Sequence, residues 1–212
     1  MCLCLVTFAA LTLQHMSSST QRTRRDFLKL AALSTSLLPF HKVFGFSNPT
    51  ENKPIVVSTW NNKKANEAAC SVLSARGRAL DAVEQGACVP EADPNDTSVG
   101  YGGLPDRDGK VTVDACIMDE KVNCGSVAFV QDFLHPVSIA RAVMEKTPHV
   151  MLVGAGAEKF ARSQGFKKQK LLTKKSKEEW RKWLKESEFK NANAKVGHDT
   201  IGILALDNSG AL

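Results

Sequence analysis

Between Ile55 and Leu206 the chain alternates short β-rich runs with stretches of helical composition, and this order constrains the fold more than any other feature. It excludes an all-helical bundle and points to α/β or α+β architecture. Ile55–Thr59 reads as a buried strand ending at Trp60. Ala65–Ala75 is helical in composition and is expected to stop at Gly77, a C-cap residue. A second helical piece covers Ala79–Gly86. Gly100, Gly102, Gly103, Pro105 and Gly109 crowd one segment, which has to be loop or turn. Lys110–Asp119 alternates as a strand does, with Ser126–Val130 as its hairpin partner. Pro136 suits the first position of a helix through Ile139, Ala142 and Val143. Val150–Val153 reads as a strand and Ala157–Ser163 as a helix ending at Gly165. Glu178–Lys185 reads as a helix with Trp180 and Trp183 on one face. A polar connector at Asn191–Lys195, a strand-like run at Thr200–Leu206 and a turn over Asp207–Gly210 complete the pattern.

Charge and cysteines remove several function classes. The chain has 28 basic and 22 acidic residues, a net charge of +6, and the excess is concentrated in Lys167–Lys195. No aromatic-basic motif accompanies that run, so it reads as an exposed connector and not as a nucleic-acid surface. Cys2, Cys4, Cys70, Cys88, Cys116 and Cys124 include no Cys-x-x-Cys pair, and no paired histidine spacing suggests zinc. No metal and no cofactor are expected. Val153-Gly154-Ala155-Gly156 resembles a dinucleotide loop only in part, because Lys159 stands where the third glycine belongs.

Residues 1–46 read as an address. Thr23-Arg24-Arg25-Asp26-Phe27-Leu28-Lys29 precedes a moderately apolar run from Leu30 to Leu38, the pattern of a twin-arginine export signal. The run is too short for a stable membrane anchor. Met16 reads as the natural start; the alternative is that Met1–Leu13 is an extra membrane segment. Export to the periplasm or the medium follows as the expected location.

The chemistry is concentrated at His198-Asp199-Thr200, followed by Ile201-Gly202. A threonine hydroxyl is a poor nucleophile without a base. Making threonine the first residue of a new chain supplies one, since an α-amino group has a reference pKa of about 7.7–8.0. Attack of the Thr200 hydroxyl on the Asp199 carbonyl would give an ester that water opens. Taken alone, His-Asp-Thr also suits a structural role at a strand start.

Longer blocks decide between these readings. Ser58-Thr59-Trp60, the segment from Ser98 to Gly109, Val113–Asp119, Ala140–Gly154 and Gly197–Gly202 resemble glycosylasparaginase, in the same order, from about Asn52 to the end. The resemblance implies an α+β fold, the four-layer αββα sandwich of the N-terminal-nucleophile hydrolases. It implies α and β subunits made from one precursor, in αβ units that can pair, and hydrolysis of the amide joining N-acetylglucosamine to asparagine. Thr200 matches the nucleophile, Trp60 an active-site tryptophan and Ser98 a serine facing the pocket. His198 and Asp199 match residues around the scissile bond, while Asp114 is expected to be structural. Residues 47–199 correspond to the α subunit and residues 200–212 to only the start of β, so this chain is expected to be a fragment. The link after Trp60, Asn61-Asn62-Lys63-Lys64, is more polar and one residue shorter than in the family. A plant-type asparaginase or isoaspartyl peptidase, and a catalytically inactive remnant, are the competing readings.

Overall fold

The computed structural model describes residues 53–186 and 200–212, all within one compact unit, Thr50–Leu212. The export signal, Asn191–Lys195, His198 and Asp199 lie outside the described residues. Helices and strands mix as the alternation requires, giving an α+β architecture. Strand β1 (Ile55–Ser58) pairs antiparallel with β5 (Ile203–Leu206), with Ile55 opposite Leu206 and Ser58 opposite Ile203. Strands β2 (Thr112–Met118), β3 (Cys124–Gln131) and β4 (Met151–Val153) form a second sheet in that spatial order. The β2–β3 pair is the expected antiparallel hairpin, and β4 runs parallel to β3.

The helices α1 (Lys63–Ser74) and α2 (Ala79–Ala92) pack on the β1–β5 pair, where Ala69, Leu73, Ala79, Ala82 and Ala205 form a small core. Their small side chains let helix and strand backbones approach closely. Helices α3 (Pro136–Lys146) and α4 (Gly154–Ser163) pack on the other sheet. There Val127, Val130, Phe133, Ile139 and Val143 form the centre of a larger core. Full burial of one such side chain stabilises by about 1.5–3 kcal/mol. Helix α2 touches α3 as well as α1, and so joins the two packed groups. None of the helices is long and apolar enough, among the described residues, to cross a membrane.

Several local expectations need correction. Helix α1 ends at a Schellman pair, in which Gly77 N–H donates to Val72 O and Arg76 N–H to Leu73 O, both at 2.9 Å. The left-handed residue of that cap is Arg76, at φ 60°, and not Gly77. Glycine is required at 77 for space, because a Cβ there would stand 2.5 Å from Val72 Cγ1. Helix α2 does not stop at Gly86 but continues to Ala92. Gly86 is where α2 crosses α1, and a Cβ would lie 3.1 Å from Ala65 O. Helix α4 starts at Gly154 directly after β4, so Gly154 and Gly156 are in its first turn. Gly156 has open space around it.

The first strand is not buried. Ile55 and Val57 are 53% and 57% exposed, as is Leu204 opposite Val57 at 61%. Met118, Met151 and Val153 are likewise exposed on the second sheet. Each sheet therefore has helices on one face and uncovered apolar side chains on the other. The basic run also departs from expectation. Helix α5 (Lys174–Glu186) occupies part of it, and Leu171 and Ser176 are fully buried. Ser176 Oγ donates to Gly102 O at 2.5 Å, and Gly102 N–H donates to Leu171 O at 3.0 Å. The lysines around these residues remain at the surface, but the backbone from Leu171 to Ser176 is fastened to the glycine-rich loop.

The expected turn at Asp207–Gly210 is present and does more than reverse the chain. Asp207 Oδ1 accepts from Ser209 N–H, Ser209 Oγ and Ala211 N–H, while Oδ2 accepts Ala79 N–H at 3.2 Å at the start of α2. Burial opposes the charge, but these hydrogen bonds outweigh it and hold the Asp207 pKa below the ordinary carboxylate value. Asp207→Ala should lower unfolding stability by about 1–2 kcal/mol, measured by urea titration. With the folded pKa depressed, this contribution is complete above the unfolded carboxylate pKa and is lost as pH falls through the folded one. An unchanged denaturation midpoint at neutral pH would remove Asp207 from this role.

Candidate functional site

The end of β1 and the start of β5 form the site. Thr59 N–H donates to Gly202 O at 2.9 Å, which extends the ladder one residue beyond Ser58. The return bond is unusual. Gly202 N–H donates to the Thr59 hydroxyl at 2.9 Å, while the Thr59 carbonyl accepts from Asn62 Nδ2 at 3.0 Å. A side-chain oxygen thus replaces the main-chain acceptor, and the chain after Thr59 is free to leave the sheet.

It leaves sharply. Trp60 adopts φ 61°, a region seldom occupied by bulky L-residues, and Asn62 N–H donates back to Trp60 O at 2.9 Å. Helix α1 then starts at Lys63, so Asn61 and Asn62 are the whole link. This shows why a short polar link works here: the Asn62 amide is part of the turn. The turn brings the Trp60 indole over residue 200, where Nε1–H donates to Thr200 O at 3.2 Å. Thr200 is exposed, and the strand begins only at Ile203, not at Thr200. The two expected residues brought together are therefore Trp60 and Thr200, with Thr59 and Gly202 holding the segment between them.

Ser98 has a different setting. Its N–H and hydroxyl both donate to Asp96 Oδ1, at 2.8 and 2.5 Å, in a turn of the glycine-rich segment. Asp114 has the structural contact expected of it: its carboxylate accepts Phe129 N–H at 2.6 Å beside the register shift between β2 and β3. Trp180 and Trp183 do share a face, and with Leu104, Pro105 and Arg107 they line a cleft of about 450 Å³.

A second polar cluster lies between α2 and α3. Glu91, 4% exposed, receives Val137 N–H on Oε1 at 3.1 Å, and its Oε2 lies 3.2 Å from His135 Nδ1. Cys88 Sγ is 3.7 Å from Ser138 Oγ. Burial pushes the Glu91 pKa up despite its hydrogen bonds. Hydrogen bonding to Cys88 and then to Glu91 raises the His135 pKa to about 10, against desolvation. Among the described residues, Cys88, Glu91 and His135 are the group whose donor atoms could hold a metal. Sequence spacing did not reveal them, because a helix and a distant loop supply them; Thr59 carries no signal of its own, because its hydroxyl is engaged only when β5 pairs with β1 and brings Gly202 N–H to it.

Comparison with known proteins gives this geometry a context. Residues 41–212 match the family described as Asparaginase. The chain is 53% identical over 205 residues to an N(4)-(beta-N-acetylglucosaminyl)-L-asparaginase from Elizabethkingia miricola, covering 93% of this chain and 60% of the relative. It is 45% identical over 132 residues to a protein of the same name from Mus musculus, covering 62% of this chain and 38% of that protein. An isoaspartyl peptidase/L-asparaginase from Rattus norvegicus is 38% identical over 186 residues, covering 86% of this chain and 55% of its own length. The chain spans less than two thirds of each of these relatives.

Proposed function

Because the chain belongs to the asparaginase family, we propose that it supplies the nucleophile-bearing part of an amidohydrolase that cleaves the N-acetylglucosamine–asparagine amide. The observation that carries this reading is the Trp60 indole donating to the Thr200 carbonyl while Thr59 holds Gly202. A nucleophile is effective only when the reacting atoms are held in place, and these two contacts fix the backbone on the C-terminal side of the Asp199–Thr200 bond.

The chemistry runs in two stages. First the Thr200 hydroxyl attacks the Asp199 carbonyl, the Asp199–Thr200 C–N bond breaks, and the Thr200 nitrogen becomes a free amine. Water opens the resulting ester, leaving Asp199 as a carboxylate and Thr200 as a chain terminus. In the second stage that amine takes the hydroxyl proton and Thr200 Oγ attacks the substrate amide carbonyl. The glycosylamine departs with a proton, and water then releases aspartate. His198 and Asp199 are assigned to the first stage, with Trp60 and Ser98 at the substrate pocket.

The same reading accounts for the uncovered sheet faces. In a four-layer αββα sandwich each sheet presents helices outward and an apolar face inward. Ile55, Val57 and Leu204 on one sheet, and Met118, Met151 and Val153 on the other, are suited to such inner faces. Precursor cleavage would give α and β subunits, and Arg24-Arg25 with the Leu30–Leu38 run would export the precursor by the twin-arginine route.

The substrate test uses a precursor of the relatives' full length. Aspartate release from N-acetylglucosaminyl-asparagine should exceed release from a β-aspartyl dipeptide, as the 53% and 45% identical relatives suggest. The reverse ratio would select the isoaspartyl peptidase reading. Thr59 gives a finer test. Thr59→Val removes the acceptor of the exposed Gly202 N–H, a hydrogen bond worth about 0.5–1.5 kcal/mol, and should slow self-cleavage roughly two- to tenfold. Thr59→Ser keeps the acceptor and should cleave near the wild-type rate, followed by gel electrophoresis over time. Equal rates for Val and Ser would dismiss the hydroxyl.

A further inference from the structure

Cys88 and Glu91 are one helical turn apart on α2, and His135 immediately precedes α3. Their donor atoms, a thiol sulfur, a carboxylate oxygen and an imidazole nitrogen, all lie within 4.8 Å of one another. Bonds of about 2.0–2.3 Å to a tetrahedral zinc ion put neighbouring ligand atoms roughly 3.5 Å apart. The Glu91–His135 contact is already 3.2 Å, so side-chain rotation about Cys88 supplies most of the closure. We propose that Cys88, Glu91 and His135 form a binding site for Zn²⁺ or a chemically similar divalent cation, with water or the Ser138 hydroxyl completing the tetrahedron.

The donor set selects the ion. Sulfur and nitrogen ligands suit zinc and its neighbours, whereas magnesium and calcium require oxygen throughout. Binding displaces the thiol proton and the imidazole proton to solvent and replaces the Nδ1 contact to Glu91 with a shared cation. Glu91 Oε1 keeps the Val137 N–H, so the carboxylate stays oriented as it turns one oxygen to the metal. Two ligands come from α2 and one from the residue leading into α3. The ion would therefore clasp the helix pair that joins the two packed groups. This reverses the expectation of no metal, which rested on cysteine and histidine spacing alone; here the fold, not the spacing, assembles the ligands.

Cobalt(II), added alone to the reduced protein, is the probe. A thiolate-to-cobalt charge-transfer band and intense visible bands of tetrahedral cobalt should appear, and added zinc should bleach them. Cys88→Ser should abolish the charge-transfer band and weaken cobalt affinity by about 100-fold or more, since loss of even an outer partner of a ligand costs about 10–100-fold. Cys70→Ser, which alters an exposed cysteine on α1, should keep the band. Far-ultraviolet circular dichroism of each variant establishes that it is folded. A folded wild-type protein with no charge-transfer band overturns the proposal. So does a band that Cys88→Ser leaves intact, because the ion is then held by other cysteines.

Discussion

In a precursor of the relatives' full length, Thr200→Ala is expected to leave one uncut chain with no measurable aspartate release. Removing the hydroxyl removes the attacking atom of both stages. Self-cleavage cannot begin, so the amine that serves as base is never freed. Loss of a nucleophile acting in concert with its base costs on the order of 10⁴-fold or more in turnover. Thr200→Ser retains an attacking hydroxyl and should keep part of both reactions. Thr200→Cys should separate them, because a thiol attacks readily but turns substrate over poorly. Amino-terminal sequencing of the wild type should find a fragment beginning Thr-Ile-Gly. Gel electrophoresis and an aspartate assay then follow each variant. An uncut wild type that hydrolyses the substrate, or an alanine variant of undiminished activity, would sink the N-terminal-nucleophile reading.

The sequence announced this site more clearly than it announced the contacts that hold it. Thr200 and Trp60 stood out because their residue types carry chemistry or recur in a familiar block. Thr59 did not, since a threonine beside a strand end is ordinary until its hydroxyl is seen taking Gly202 N–H in place of a backbone carbonyl. The same division holds in the fold. Alternating apolar residues located the β2–β3 hairpin, and Pro136 marked the start of α3. Periodicity could not show that Ile55 and Val57 are exposed, because a strand with one uncovered apolar face has the same composition as a buried one. It also concealed the anchoring of the basic run: the lysines dominate Lys167–Lys175, yet Leu171 determines where that backbone lies. The Cys88–Glu91–His135 group could not be read from spacing, because packing of α2 against α3 brings it together.

The largest effect on stability should come from Phe133→Ala, a loss of about 3–5 kcal/mol. Phe133 heads the largest fully buried side chains and is 1% exposed. It lies between the end of β3 and the start of α3, just after Asp132, whose φ of 60° turns the chain. Two elements on either side restrict how far the backbone can collapse into the space a missing ring leaves. Most of the cavity should therefore persist, and the surrounding core loses its contacts outright. Against a typical total of about 5–15 kcal/mol, such a loss of about 3–5 kcal/mol is roughly a fifth or more of the stability of a domain. Phe133→Leu fills much of the volume and should cost clearly less. The consequence should reach the basic segment, because Leu171 shares this core and Gln169 N–H donates to Asp132 O at 2.8 Å. Trypsin should accordingly cut after Lys167, Lys168 or Lys170 faster in the alanine variant than in the wild type. Urea titration measures the first effect and timed digestion the second. A midpoint shift equivalent to less than about 1 kcal/mol would mean that the site collapses freely, contrary to the two-sided restraint.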